Sequence, residues 1–347
     1  MEWEKLLDHY GLLIEGKLES YFSNLTQNAK DYHPFISELY DNIREYSLRK
    51  GKRLASCSTL LSYKGYTGKI DENILDVCVG IELYRHCILV HDDLVDKDKF
   101  RRGGKSFHNL FTDYDRRFGE RITIFAGDLI FALALQCISR SGFSIDKIDK
   151  ALSLLIEGYC EVNESQILDL LFEYAHPNAA EWSKMAYKRA ASLFRATILI
   201  GAILGNAPER DVELLRDAAT NIGYSFDIQD DIIDTFATKE QYGKKPGGDL
   251  VLGKKPLHII LLHERASKDE LKLLNNVMRK RYITNTEIES IRQVIRRTEA
   301  LKSAKEESKR FAEFAKNLIS KTSMSDEIKD FFSSFINYIE ESLDWYK

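Results

Sequence analysis

The sequence predicts an all-α protein. None of the five prolines falls between Phe35 and His176, which leaves that stretch free of the strongest helix breaker. Its apolar residues recur at intervals of three and four, the period of a helix. Alternating apolar and polar residues flanked by Asn-Gly or Asp-Gly turns, the usual signal of paired strands, are nowhere convincing.

Four apolar segments predict the central helices, over residues 74–96, 122–138, 147–174 and 193–204. The second and the fourth are apolar on almost all sides, which indicates helices at the centre of a multi-helix bundle. From Ser267 onward the chain is charged and amphipathic, which predicts helices packed outside that core. No linker or repeat marks a domain boundary, so we expect one domain over residues 1–347.

Composition excludes several classes of protein. With 44% hydrophobic and 30% charged residues, the 347-residue chain is neither collagen-like nor disordered. The net charge of −4 provides no basic field for nucleic acid, so any anionic ligand needs a local basic cluster. The N-terminal residues resemble neither a signal peptide nor a membrane span, which predicts a cytoplasmic protein without a transmembrane segment. The five cysteines lack CxxC spacing and are expected to be reduced packing residues.

Two acidic motifs of the form DDxxD end apolar segments. The first comprises Asp92, Asp93 and Asp96, and the second comprises Asp230, Asp231 and Asp234. Residues four apart share a helix face, so each motif directs its first and last carboxylates the same way. Like charges at this spacing repel each other, which indicates that a cation balances them.

A solvated helix end would explain one such motif, but two copies favour metal binding. Mg²⁺ takes one or two carboxylates and completes its shell with water and phosphate oxygens, so two facing motifs would clamp a diphosphate. Basic residues follow both motifs: Arg101 and Arg102 stand beside the flexible Gly103-Gly104, and Lys244 and Lys254 follow the second motif. Arginine and lysine are common phosphate ligands, so the pattern predicts binding of an anionic oligophosphate.

With these residues the sequence resembles the trans-isoprenyl diphosphate synthase (polyprenyl synthetase) family from about Gly51 to the C-terminus. The matching stretches are GKRL (51–54), HDDLVDKDKFRRG (91–103), FGERITIFAGD (118–128), ESQILDL (164–170), FDIQDDIID (226–234) and YGKKPGGDLVLGKKPL (242–257). The resemblance implies an all-α bundle of the isoprenoid synthase type I fold around a deep cavity. It also implies a homodimer and a head-to-tail condensation of an allylic diphosphate with isopentenyl diphosphate.

The resemblance further implies roles for individual residues. Each active site would hold three Mg²⁺ ions when diphosphate is bound. Their direct ligands would be Asp92, Asp96 and Asp230. Asp93, Asp231 and Asp234 would bind the metal occasionally or indirectly. The allylic diphosphate would be held by Arg101, Gln166, Lys244 and Lys254, and isopentenyl diphosphate by Lys52 and Arg102. Arg53, Arg85 and Arg189 complete the predicted substrate-binding set. Such cations stabilise the leaving diphosphate, while apolar walls protect the allylic carbocation from water.

Several positions depart from the family's pattern. Ala55 and Ser56 replace an Arg and a Pro, Arg85 replaces a His or Gln, and Asp227 replaces a Gln. The usual Lys-Thr pair is here Arg189-Ala190 or, with a shifted alignment, Lys188-Arg189. Ala55 removes an arginine expected at the isopentenyl diphosphate site. A guanidinium within an apolar helix needs an anion, so we predict that Arg85 takes over that role. The alternative is a structural ion pair of Arg85 with Glu82 or another acid.

The residues before Asp92 bear on the length of the product. The growing tail would extend along the helix that precedes the motif, where Cys87 and Ile88 are too small to stop it. Tyr84 lies about 4.5 Å deeper than Cys87, at 1.5 Å per residue. Family members with short products usually carry an aromatic residue at the shallower position, so we predict geranylgeranyl diphosphate (C20), with C25 next. The alternatives are that Tyr84 is an ordinary core aromatic or that residues on other helices set the product length.

Two other functions fit part of the pattern. A class I terpene cyclase or a head-to-head coupling enzyme needs one DDxxD motif and no isopentenyl diphosphate; the second motif, together with Lys52 and Arg102, argues against it. A noncatalytic subunit of another synthase should have lost metal ligands, whereas all the predicted ligands are present here.

Overall fold

The computed structural model describes residues 2–238, 246–278, 280 and 282–341. Its α-helices are α1 (Glu2–Ala29), α2 (Pro34–Leu48), α3 (Leu54–Thr67), α4 (Glu72–Val95), α5 (Arg116–Ser139), α6 (Ile145–Phe172), α7 (Ala179–Lys188), α8 (Ala190–Leu204), α9 (Glu209–Phe236), α10 (Gly248–Leu252), α11 (Leu257–Arg265), α12 (Lys268–Val277), α13 (Asn285–Arg297), α14 (Ala300–Ser320) and α15 (Asp326–Ile339). A 3₁₀ turn covers Phe107–Asn109, and the short strands β1 (Phe100–Arg101) and β2 (Gly104–Lys105) pair in antiparallel fashion. The predicted all-α class is confirmed.

The chain divides into two compact units. The first comprises Met1–Leu155 with Thr197–Ala207, and the second comprises Ile156–Ala196 with Pro208–Lys347. Each unit contains one of the two DDxxD motifs. The single domain expected from the sequence stays a prediction.

In the first unit, α4 packs closely against α5. The carboxylate of Asp71 begins α4 by accepting a hydrogen bond from the Ile74 amide at 3.2 Å. At Gly80 a Cβ atom would lie 2.9 Å from the carbonyl oxygen of Ala134, so only glycine allows the two helices to approach this closely. The packing fixes the helix that ends in the first acidic motif.

α5 is the helix in the described ranges that, by length and composition, could cross a membrane. Of its most apolar window, 44% is buried inside the protein. Core helices of globular proteins reach the same length and hydropathy, so this helix alone does not indicate a transmembrane segment.

Four of the five cysteines have the packing role expected from the sequence, and Cys160 does not. All five lie in described residues and carry free thiols. Four are buried and Cys160, on α6, is exposed.

In the second unit, α9 carries the second motif and packs along α14. Small residues of α14 face the contact, and Ser308 among them is fully buried. Its hydroxyl accepts a hydrogen bond from the Gln229 amide at 2.9 Å and lies 2.9 Å from the Ser225 hydroxyl. α14 is therefore amphipathic, as the sequence predicts, and packs its small-residue face against α9. Its many charges lie on the opposite face, and the alanines and serine beneath them give little hydrophobic signal.

Candidate active site

The first motif lies at the C-terminal end of α4. Asp96 is the C-cap residue, and its amide donates to the carbonyl oxygen of Asp92 at 2.9 Å, so the last turn of the helix is intact up to it. Asp92 and Asp96 are therefore four residues apart on one helix and share a face, as predicted. Both residues are half-buried, which leaves part of their surface exposed to solvent.

Asp93 points the other way and holds Arg101. Its side chain is fully buried and accepts hydrogen bonds from the Tyr46 hydroxyl at 2.7 Å and from Arg101 Nε at 2.7 Å. Arg101 Nη2 also contacts Asp93 and lies 3.3 Å from Asp92 Oδ2. Burial raises the pKa of Asp93, and the charge of Arg101 opposes that shift. The sequence suggested Asp93 as an occasional metal ligand, but its contacts are those of an anchor for Arg101.

A β-hairpin follows the motif, where the sequence predicted only a flexible pair of glycines. Its turn is made by Arg102 and Gly103, whose φ angles of 51° and 80° are both left-handed, as in a type I′ turn. Arg49 joins the two strands, because its Nη1 donates to the carbonyl oxygens of Arg101 at 3.1 Å and Lys105 at 2.7 Å. Two strands of two residues give no period to detect, so the sequence analysis missed them.

Arg102 lies close to Arg85, as the predicted phosphate role of both residues requires. Desolvation and the positive charge of Arg85 lower the pKa of Arg102 to about 10. Arg85 is half-buried on α4. Two neighbouring guanidinium groups repel each other, and an anion such as phosphate would relieve that repulsion.

Lys52 and Arg53, both predicted to bind substrate, lie in different environments. Lys52 is half-exposed, with Nζ 3.9 Å from Glu4 and 5.6 Å from the centre of the Trp3 ring. The Arg53 side chain is 2% exposed and forms ion pairs with Glu82 at 2.8 Å and Glu15 at 3.0 Å.

Arg53 therefore has structural contacts, and the substrate contact expected from the sequence stays a prediction. Glu82, its buried partner, also accepts a hydrogen bond from the Ser56 hydroxyl at 2.6 Å. Glu82 is also an ion-pair partner that the sequence predicts as an alternative for Arg85. The Glu82 carboxylate instead contacts Arg53 and Ser56.

The second motif ends α9 in a different way from the first. Asp230 is exposed, whereas Asp231 and Asp234 are buried. One carboxylate oxygen of Asp234 accepts a hydrogen bond from the amide of Asp249 at 3.0 Å, and the Asp234 carbonyl oxygen accepts one from the Gly247 amide at 2.8 Å. Asp234 thus ties the end of α9 to the start of α10, while Asp230 stays accessible.

Arg189 is surrounded by three carboxylates. It lies between α7 and α8, with Nε 3.0 Å from Asp227, Nη2 2.9 Å from Asp231 and Nη1 3.9 Å from Asp169. Asp227 also accepts a hydrogen bond from the Ala190 amide at 3.3 Å. Burial raises the pKa of Asp227 to about 6, although Arg189 opposes the shift. Two departures from the family's pattern, Arg189-Ala190 and Asp227, are thus in direct contact with each other.

Lys254 lies at the edge of the same acidic group. Its Nζ is 3.9 Å from both Asp169 and Asp249. Gln166 is half-buried on α6, one turn before Asp169. Lys244 lies outside the described residues.

The predicted chain-length residues lie on α4. Tyr84 and Cys87 are fully buried and Ile88 is half-buried. The Tyr84 ring packs against Phe131 of α5, with ring centroids 6.4 Å apart. This contact is the one expected if Tyr84 is a core aromatic, so a role for α4 in setting product length stays a prediction.

Sequence reasoning missed four residues in these surroundings: Tyr46, His86, Asp169 and Asp249. A signal was available for Asp169, which lies one helical turn after Gln166 in the stretch ESQILDL. Tyr46 and His86 sit within apolar helices and gave no signal, since a helical period shows that a side chain is buried but not which partner it meets.

The accessible carboxylates suit Mg²⁺. The described residues contain no cluster of three or more histidine, cysteine or acidic side chains that would enclose a metal. Mg²⁺ rarely uses such a cage; it binds one or two carboxylates and takes its other ligands from water and substrate phosphates. Asp92, Asp96 and Asp230 offer carboxylates of this kind.

Comparison with known proteins agrees with the sequence resemblance. Residues 37–295 match the family model "Polyprenyl synthetase". The chain is 28% identical to the short chain isoprenyl diphosphate synthase of Methanocaldococcus jannaschii, over 84% of this chain and 86% of the relative. It is 27% identical to the geranylfarnesyl diphosphate synthase of Aeropyrum pernix, over 84% and 90%.

A solved structure shows the same fold. Geranylgeranyl pyrophosphate synthase from Corynebacterium glutamicum, crystallised with isoprenyl diphosphate and magnesium, has a TM-score of 0.91 to this chain. The likeness covers 99% of this chain and 100% of that structure at 20% sequence identity. Because the family model covers most of the chain, this protein belongs to the polyprenyl synthetase family and is a trans-prenyltransferase.

Proposed function

We propose that this enzyme condenses isopentenyl diphosphate head to tail with an allylic diphosphate in a Mg²⁺-dependent reaction, with geranylgeranyl diphosphate as the main product. One observation carries the proposal. In each motif an arginine, Arg101 or Arg189, pairs with the second aspartate, while the first aspartate, Asp92 or Asp230, keeps exposed surface. The motifs thus combine accessible carboxylates with fixed guanidinium groups, which suits a metal-bound diphosphate.

The chemistry needs charge stabilisation more than proton transfer. When Mg²⁺ is bound, it neutralises negative charge that develops on the departing diphosphate. Arg101 is held beside Asp92 by Asp93, so its remaining N–H groups are oriented before substrate arrives. Lys254 supplies a second positive charge, beside Asp169. The allylic cation then adds to the double bond of isopentenyl diphosphate, and the proton lost afterwards passes to the released diphosphate, so no protein base is proposed.

Product analysis tests this proposal. The purified protein is incubated with Mg²⁺, isopentenyl diphosphate and one allylic primer at a time, and the products are separated by chromatography. Elongated prenyl diphosphates support it. Hydrocarbon formed from the primer alone would instead indicate a cyclase or coupling enzyme, and no product from any primer would indicate a noncatalytic subunit.

Replacing Arg85 with glutamine tests the isopentenyl diphosphate site. Because Arg85 lies close enough to Arg102 to lower its pKa, we expect the KM for isopentenyl diphosphate to rise about tenfold, the loss of one charge-assisted hydrogen bond. The KM for the allylic primer should change little. Arg44→Gln, which removes an ion pair with Glu19, is the control and should leave both values unchanged. An equal loss for both substrates would contradict the assignment.

Two substitutions on α4 test the product length. Tyr84→Ala removes a buried ring and should lengthen the main product, whereas Cys87→Phe adds one and should shorten it. Tyr84→Phe keeps the ring and should leave the product unchanged. Chromatography of the chain lengths gives the answer. If all three variants make the wild-type product, and Tyr84→Ala only lowers the melting temperature, Tyr84 is a core aromatic packed on Phe131.

We further propose that the enzyme acts in the cytoplasm as a homodimer. Large apolar side chains on α6, among them Ile167 and Leu171, are 68% and 58% exposed. Exposed apolar side chains grouped on one helix are typical of a surface that a second chain covers.

A further inference from the structure

His86 lies beside the substrate-binding set without being part of it. Its side chain on α4 is 1% exposed. The Tyr46 ring meets it edge-on, at an interplanar angle of 80° and a centroid distance of 6.0 Å. The imidazole is therefore enclosed and held in one orientation.

The hydrogen bonds of the ring determine which nitrogen carries the proton. His86 Nδ1 lies 2.7 Å from the carbonyl oxygen of Glu82, one turn earlier on the helix. A carbonyl oxygen can only accept, so Nδ1 carries the hydrogen, and in the neutral ring Nε2 presents a lone pair. Burial, assisted by the charges of Arg102 and Arg53 and opposed by Glu82, lowers the pKa of His86 to about 3, so the ring is neutral near pH 7.

The lone pair of Nε2 faces Arg102. The distance from Arg102 Nη1 to His86 Nε2 is 3.4 Å. Since a guanidinium only donates hydrogen bonds, His86 is the acceptor. On its other side the guanidinium lies against Gly51, where a Cβ atom would come within 2.8 Å of Arg102 Cζ. Two uncharged groups, an imidazole and a glycine, thus fix the position of Arg102.

This support differs from that of the neighbouring arginines. Arg101 pairs with Asp93, and Arg53 pairs with Glu82. Within the described ranges no carboxylate lies within ion-pair distance of Arg102. A carboxylate in the place of His86 would also hold the guanidinium, but it would neutralise its charge and compete with a phosphate. A neutral acceptor orients Arg102 without neutralising its charge, and the Glu82 carboxylate attracts that charge only from beyond ion-pair distance.

We propose that His86 is a positioning residue that orients the Arg102 guanidinium for the diphosphate of isopentenyl diphosphate. The proposal rests on the proposed function, in which Arg102 binds that substrate. His86 acts through Arg102 and does not itself touch the reacting atoms.

Steady-state kinetics of two His86 variants test the proposal. His86→Leu removes the acceptor, and we expect the KM for isopentenyl diphosphate to rise about tenfold, the effect of a hydrogen bond to a charged group, with the allylic KM and kcat within about twofold of wild type. His86→Gln supplies a neutral acceptor of similar reach and should recover most of the loss. Circular dichroism and thermal melting confirm that both variants fold.

A double variant shows whether His86 acts through Arg102. Arg102→Lys removes the guanidinium group that His86 orients, so it should raise the KM for isopentenyl diphosphate. Adding His86→Leu to Arg102→Lys should raise that KM little further. Wild-type kinetics for His86→Leu would overturn the positioning role, as would increases in the KM for isopentenyl diphosphate that multiply in the double variant. Neither result would contradict the proposed function. If Arg102→Lys itself left the KM for isopentenyl diphosphate unchanged, the substrate role of Arg102 in the proposed function would be wrong. If His86→Leu does not fold, His86→Ala removes the same acceptor and takes its place in both comparisons.

Discussion

Replacing Asp92 with alanine is expected to lower kcat by about a thousandfold while the protein still folds. The variant loses a carboxylate proposed to bind Mg²⁺. Charge stabilisation by a metal lowers the free energy of a transition state by several kcal/mol, and about 1.36 kcal/mol corresponds to a tenfold change in rate. Asp92 is half-buried and its negative charge disfavours ionisation of Asp93, so its loss relieves repulsion in the folded state. Asp96→Ala and Asp230→Ala should behave in the same way.

Turnover at saturating Mg²⁺ and the melting temperature are measured together for these variants. Asp113→Ala, which changes an exposed acid outside the motifs, is the control and should match wild type in both. Asp93→Ala is the contrasting variant, because it leaves Arg101 without its buried partner and should lower the melting temperature as well. Near-normal turnover in Asp92→Ala, Asp96→Ala and Asp230→Ala would contradict the metal-binding role of the motifs.

Replacing Arg189 with methionine is expected to have the largest effect on stability. The variant leaves Asp169, Asp227 and Asp231 without their shared cation, and removing one partner of a buried ion pair costs about 3–5 kcal/mol of the free energy of unfolding. Urea unfolding without Mg²⁺ measures the loss. Arg195→Met is the matched control, because it removes a buried arginine that has one carboxylate partner, Glu161, beside hydrogen bonds to the Tyr187 carbonyl oxygen and the Thr220 hydroxyl.

The dependence on pH distinguishes Arg189→Met from that control. Burial raises the folded-state pKa of Asp227 to about 6 from its ordinary value of 3.8. Between these values the folded protein binds more protons than the unfolded one, so stability falls as pH rises. Without Arg189 the Asp227 carboxyl should become still harder to ionise, because the charge of Arg189 opposes the rise of its pKa, and the decrease should be steeper. The loss in Arg189→Met should therefore be larger at pH 8 than at pH 5. A loss that is equal at the two pH values would show that Asp227 is not ionised beside Arg189.

The sequence predicted the helices and the acidic motifs because both depend on local spacing. A period of three to four residues indicates a helix wherever it occurs, and the DDxxD spacing places Asp92 and Asp96 on one face without knowledge of the fold. Partner choice could not be predicted in this way. Arg53 adjoins Lys52 in the chain, yet its guanidinium is buried against Glu82, which lies 29 residues further along.

The arginine at position 189 shows the same limit. The sequence identified Arg189 and Asp227 as two separate departures from the family's pattern. In the folded chain Arg189 Nε lies 3.0 Å from the Asp227 carboxylate, so the two departures form one ion pair. The two residues compensate each other's charge, and neither position alone indicates that they are in contact.

The hairpin joined by Arg49 has a consequence for the thermodynamics of substrate binding. A turn of two residues would normally sample many conformations, and ordering it around a ligand would cost roughly 1–2 kcal/mol of backbone entropy per residue. Here Arg49 bonds both strands and Asp93 anchors Arg101, so that cost is met when the chain folds. A phosphate reaching Arg102 then meets a preorganised loop, and its binding entropy, measured by calorimetry, should contain little contribution from ordering the hairpin.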